Sequence, residues 1–223
     1  MDKTLFFSAI TKFLLGLGCT ALLLFVPAGT VRFPGGQLLM LVLFAPMFVA
    51  GLVMMAANRT LLRSRLQARE SQPEQKAVVA LSGLMFLCGF IAAGLDFRFG
   101  WSAMPRSISL CAAVLFVAAY VLYAEVLREN TWLSRTVWVQ EGQQLVDTGL
   151  YAVIRHPMYT ATILLFFSMP LVLGSWVSFG FFLPYPLLIA KRIKNEEQVL
   201  EAQLKGYADY KARVKYRLVP YIW

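Results

Sequence analysis

The chain has 223 residues, 59% of them hydrophobic and only 15% charged, with a mean hydropathy of +0.63. Soluble domains run nearer roughly 45–50% apolar and about 25% charged, so this composition excludes an ordinary soluble protein and indicates an integral membrane one. A net charge of +9 would suit nucleic acid, but the basic residues follow no amphipathic or aromatic-interleaved surface; they are sorted by loop, and no nucleic-acid partner is expected.

In chain order, apolar runs of about 20 residues, enough to cross a hydrocarbon layer of roughly 30 Å, predict spans near residues 8–26, 38–57, 77–95 and 106–127. Backbone polar groups in lipid must pair internally, and without an alternating strand pattern helices are the expected solution. The first run has the outline of a secretory signal, but VPAG is a poor cleavage sequence and further spans follow, so a retained helix is expected. Between the second and third spans lies a basic connector, residues 58–76, with a short helix ended before Pro73. It reads either as a solvated loop near anionic headgroups or as a flap over a site. Cys19, Cys88 and Cys111 sit within spans with no CxxC spacing, and His156 is the only histidine, so no metal site is expected.

Residues 128–157 form the longest polar interval between spans; such long connections are commonly functional, and Trp132, Trp138 and Tyr151 suit the membrane interface. The next apolar run, residues 158–190, is too long for one upright span. Pro170, Gly174 and Ser175 interrupt it, which favours a helical hairpin over one kinked helix and brings the total to five or six transmembrane helices. Beyond residue 190, Ile193, Leu200, Leu204, Tyr207 and Val214 share one face of a C-terminal amphipathic helix that Pro220 ends at the latest. With the N-terminus inside, 18 of the 21 Lys and Arg residues are cytoplasmic, leaving Arg32, Arg98 and Arg106 outside. Both termini and the segment around His156 then face the cytoplasm, across the inner membrane in a prokaryote.

Two constellations carry chemistry. In GLYAVIRHPMY, residues 149–159, Pro157 disfavours the helical conformation for His156 and itself suits a first helical position. A helix start beside Arg155 would offer amide N–H groups and partial positive charge to a carboxylate or phosphate. A structural cap beside a headgroup-binding arginine explains this segment as well as an active site does. Farther on, Arg192 and Glu196 are four residues apart on one helical face, so a solvated ion pair is the default reading. Their place at the end of an apolar run, near the same membrane face, also admits a functional one.

The string LVDTGLYAVIRHPMY (145–159), its NTWLSRTVWVQEGQ lead-in and the later RIKNEE (192–197) resemble the integral membrane methyltransferases related to isoprenylcysteine carboxyl methyltransferase and phospholipid methyltransferase. The resemblance covers roughly residues 120–218, with Tyr207 and Tyr210 in the tail pattern. It implies one membrane domain over 1–223, with residues 1–119 as N-terminal transmembrane helices and 120–218 as a cofactor-binding region. It further implies S-adenosylmethionine as cofactor, bound by Tyr151, His156, Pro157, Tyr159, Glu196 and Glu197, with Arg155, Arg192 and Glu196 at the reaction centre and no metal. The acceptor would be lipophilic or membrane-associated: an isoprenylcysteine-type carboxylate, a phospholipid amine or a small thiol. Gly149-Leu150-Tyr151 stands where the family commonly has Gly-Pro-Tyr, and Leu204 replaces a glycine of the tail pattern. An NADPH-dependent reductase of sterol-reductase type is the alternative enzyme, opposed by the lack of an extended phosphate-binding basic cluster near the loop. A non-catalytic scaffold or transporter has little support without inverted repeats or charges deep within the spans.

Overall fold

Apolar length sets the frame of the computed structural model, which describes residues 3–67, 73–133 and 139–223. Helices α1 (Lys3–Ala28), α2 (Pro34–Ala57), α4 (Pro73–Phe99) and α5 (Arg106–Glu129) are each long and apolar enough to span a membrane. A short basic helix, α3 (Arg59–Gln67), follows α2 in the connector, and Pro73 opens α4. Arg69 of the connector expected as a loop or flap, Arg135, and Trp138 with its expected interfacial place lie outside the described residues. Leu14, Leu15, Leu22, Leu41, Val114 and Val121 are largely exposed on these helices, an apolar girdle that water would not tolerate and lipid does. The described residues contain helices and no strand: the protein is all-α and integral to the membrane.

The run 158–190 is a hairpin. Its first leg, α6 (Pro157–Leu173), packs chiefly along α5, which buries Ala112, Ala113, Phe116 and Ala119. Small residues there let two helices approach closely, which is how helices associate where lipid removes the hydrophobic drive. The α2 start crosses the α6 end at backbone contact, since a β-carbon on Gly35 would stand 2.3 Å from the Leu173 carbonyl oxygen. Gly174, at φ 76°, closes α6 in a Schellman motif: its N–H donates to Leu171 O and that of Ser175 to Pro170 O. Ser175 then caps α7 (Trp176–Phe182) by accepting from Ser178 N at 2.9 Å, and α8 (Tyr185–Gln203) completes the return.

The turn is fastened from α4. That helix runs past the predicted span and buries Asp96, which is 2% exposed and accepts from the Ser102 amide at 2.7 Å and from the Ser102 and Ser175 hydroxyls. Asp96 lies in the last turn of α4, one position past the predicted end of the span at residue 95, so this buried charge sits at the end of the helix and not deep within it.

The C-terminal helix is also not continuous. Leu204 leaves the helical conformation and Gly206 turns at φ 83°; a short α9 (Tyr207–Arg213) comes next. The apolar face survives the break: Ile193 joins the main core, while Leu204, Tyr207 and Tyr210 form a second cluster with Val139, Leu145, Leu200 and Val214. Residues 214–223 then fold back on the start of α6. Arg155 N and His156 N donate to the Tyr216 and Arg217 carbonyls, both at 2.9 Å, and Thr160 Oγ1 donates to Leu218 O at 2.8 Å.

Candidate functional site

The site is built where α5 ends, α6 begins and α8 ends. Glu129, in the last turn of α5, receives the Leu150 amide at 2.9 Å and so anchors the short 3-10 turn Gly149–Ala152. Only glycine fits at 149: φ is 56°, and a β-carbon would fall 2.0 Å from the Glu129 carboxylate. This turn buries Tyr151, whose hydroxyl accepts from Asn130 Nδ2 at 3.1 Å and whose carbonyl accepts from Tyr210 Oη at 2.8 Å. His156 occupies the N-cap position with no side-chain cap bond, and Pro157 begins α6. The imidazole is thereby released from capping and turns to other work.

That work is on Glu197, which is 3% exposed. Its Oε1 accepts from Arg155 Nε at 2.8 Å and lies 3.2 Å from His156 Nε2; its Oε2 accepts from Arg217 Nε and Nη2 at 3.0 and 2.9 Å. Burial opposes ionisation, but the hydrogen bonds from His156, Arg217 and Arg155 prevail and hold the Glu197 carboxyl well below its usual range. The residue is an anionic hub. Arg155 also donates from Nη1 to the Val214 carbonyl at 2.5 Å, and the Arg217 guanidinium lies 5.0 Å over the Trp223 ring.

A second set crosses from α6 to α8. Arg192 Nε donates to Tyr159 Oη at 2.9 Å, and Tyr159 in turn donates to Glu196. The Arg192 and Glu196 side chains are thus joined through a buried phenol, and the solvated ion pair expected from their spacing gives way to an interhelical relay: Arg192 is 9% and Tyr159 5% exposed. Gln75 of α4, also buried, places its side-chain amide 3.5 Å from the Arg192 carbonyl.

Both sets border one cleft. Its walls include Tyr151, Arg155, His156, Tyr159, Arg192 and Glu196, closed over by Gln143–Val146 and by Leu204, Tyr207 and Tyr210. Of the residues expected at the site, Glu197 and Pro157 stand behind this lining, the one holding Arg155 and His156 and the other setting the start of α6. Burial pushes the Tyr151, Tyr207 and Tyr210 phenols up, so all three are neutral donors near pH 7. Tyr207 Oη has no hydrogen-bond partner among the described residues. The cavity measures about 90 Å³, less than the roughly 300–1,000 Å³ of small-molecule sites.

Arg217 was not anticipated; it resembled one more basic residue of an amphipathic helix. The signal available was the tail YRLVPYIW, whose Pro220 and Trp223 suit a folded segment better than a solvated helix end. Just ahead of the helix start expected to receive an anion, the amides of Arg155 and His156 are taken by tail carbonyls.

Fold and site together define an all-α membrane protein with a polar, ion-paired cleft at one end of its helix bundle. Residues 99–206 match the phospholipid methyltransferase family model, the family expected from the two motifs, and both motifs lie inside the matched segment. A Delta(14)-sterol reductase of Mus musculus is 29% identical over 133 residues, covering 54% of this chain and 32% of the reductase. The chain thus spans about a third of the length of that curated relative.

Proposed function

We propose that the cleft binds S-adenosylmethionine and that the protein methylates a lipophilic or membrane-associated acceptor at the cytoplasmic face. What carries this reading is the match of residues 99–206 to phospholipid methyltransferases, together with the Arg192–Tyr159–Glu196 relay on the cleft wall inside that segment. The donor set suits the cofactor: Glu196 is a carboxylate for its amino group, and Tyr151, His156 and Tyr159 are polar rings on the same wall. Bound there, the sulfonium supplies an already activated methyl group, so the protein's task is alignment and exclusion of water.

Within this reading Arg155 and Arg192 orient an anionic acceptor or its headgroup, and Tyr159 fixes Arg192 against Glu196. Glu197 contributes one step removed, by holding Arg155 and His156 in place. Because the cavity is small, a nucleoside enters by displacing the non-helical wall at Gln143–Val146. The acceptor class is an isoprenylcysteine-type carboxylate, a phospholipid amine or a small thiol.

The likeness to a sterol reductase favours a second reading, an NADPH-dependent membrane reductase. Purified protein incubated with methyl-labelled S-adenosylmethionine and a total membrane lipid extract tests the first. Label in an extractable product supports it and identifies the acceptor. A protein that transfers no label yet oxidises NADPH with the same extract supports the reductase instead.

A further inference from the structure

One polar group on the cleft wall is left over when the site's hydrogen bonds are assigned. Tyr207 is 3% exposed and lines the cleft, yet its hydroxyl is sealed from solvent with no partner among the described residues. Its neighbours are satisfied: Tyr210 donates to the Tyr151 carbonyl, Tyr151 accepts from Asn130, and Tyr159 lies between Arg192 and Glu196. A buried hydroxyl without a partner costs on the order of a lost hydrogen bond, and native structures retain few of them without a reason. The phenol also feels the charges of Glu197, Glu196 and Arg155, which places it at the ion-paired end of the cleft.

We infer that Tyr207 is a ligand-binding residue whose hydroxyl donates to a neutral acceptor on the nucleoside part of the bound molecule, a ribose oxygen or an adenine ring nitrogen. The phenol is neutral, so its hydroxyl donates, and an acceptor that brings no charge of its own into the buried cleft costs the least to desolvate there. The inference rests on the proposal that the cleft holds a nucleoside-containing cofactor and goes beyond it by giving a ligand contact to Tyr207, which the tail pattern includes without any role.

The test is Tyr207→Phe, which removes the hydroxyl and keeps the ring in its cluster with Leu204 and Tyr210. Wild type and variant are titrated in detergent with S-adenosylhomocysteine and with NADPH, and the melting temperature of each is measured without ligand. The expected result is affinity weaker by about 3–10-fold, the range of one neutral hydrogen bond, with an unchanged or higher melting temperature. A purely structural tyrosine gives a lower melting temperature and leaves the affinity unchanged. Affinity within twofold of wild type, or a lower melting temperature at unchanged affinity, overturns the inference while leaving the methyl-donor reading standing. Wild type that binds NADPH alone removes the methyl-donor reading, and Tyr207 is then judged by the same criterion on NADPH; wild type that binds neither overturns both.

Discussion

Two buried carboxylates fasten the two ends of the helix bundle, and they are held differently. Asp96 is met by neutral donors, the Ser102 amide and two serine hydroxyls, and ties the Gly174–Ser175 turn to α4. Glu197 is met by the cations Arg155 and Arg217 and by His156, and ties the C-terminal tail to the start of α6. Neutral donors satisfy a carboxylate without burying further charge, which suits a turn that only has to hold. A cluster of cations is costly to desolvate and stands or falls together, and under the proposed function its placement directly behind a polar cleft makes that end the working one.

The largest effect expected from this contrast is at Glu197. Replacing it with Gln leaves two guanidinium groups without their counterion, and losing one partner of a buried pair costs about 3–5 kcal/mol. Glu197→Gln should therefore lower the melting temperature in detergent markedly and abolish S-adenosylhomocysteine binding. Tyr159→Phe comes next: it cuts the relay between Arg192 and Glu196, and ligand affinity should fall about tenfold with a loss of stability near 1 kcal/mol. Asp96→Ala should cost about 1–3 kcal/mol by stranding the serine donors, with ligand affinity unchanged. Equal loss of affinity in the Asp96 and Glu197 variants would erase the distinction between the two ends.

The smallest effect concerns acid. The folded-state pKa of Glu197 lies below its ordinary value of 4.5, so its pairing contributes fully above that value and is lost as the pH falls through the folded-state pKa. Thermal stability should hold from neutral to about pH 5 and decline below it, with a shallower decline in Glu197→Gln. A decline of equal slope in both proteins would assign the acid sensitivity elsewhere.

Hydropathy made the four long helices legible, because each is apolar over a membrane's width. The hairpin was legible for a different reason: Gly174 can take the left-handed conformation that closes α6, and Ser175 can cap α7. The break at Leu204–Gly206 was not. Helical periodicity continues across it because the same apolar face serves α8 and α9, and only the tertiary cluster around Tyr207 and Tyr210 requires the bend. At the site, motif spacing indicated Arg155, His156, Arg192, Glu196 and Glu197, and the structure brings all five into one neighbourhood. Which of the two glutamates faces the cleft and which stands behind it depends on the returning tail. Pro220 and Trp223 hint that the tail folds, but its backbone pairing of residues 216–217 with 155–156 is long-range, so the place of Arg217 beside Glu197 could not be read from local pattern.

Whether this cleft takes a methyl donor is decided by calorimetric titration of the purified, detergent-solubilised protein with S-adenosylhomocysteine and, separately, NADPH. Saturable one-to-one binding of S-adenosylhomocysteine, displaced by S-adenosylmethionine, with no heat from NADPH beyond dilution, is the expected result. Saturable binding of NADPH with none of S-adenosylhomocysteine would contradict it.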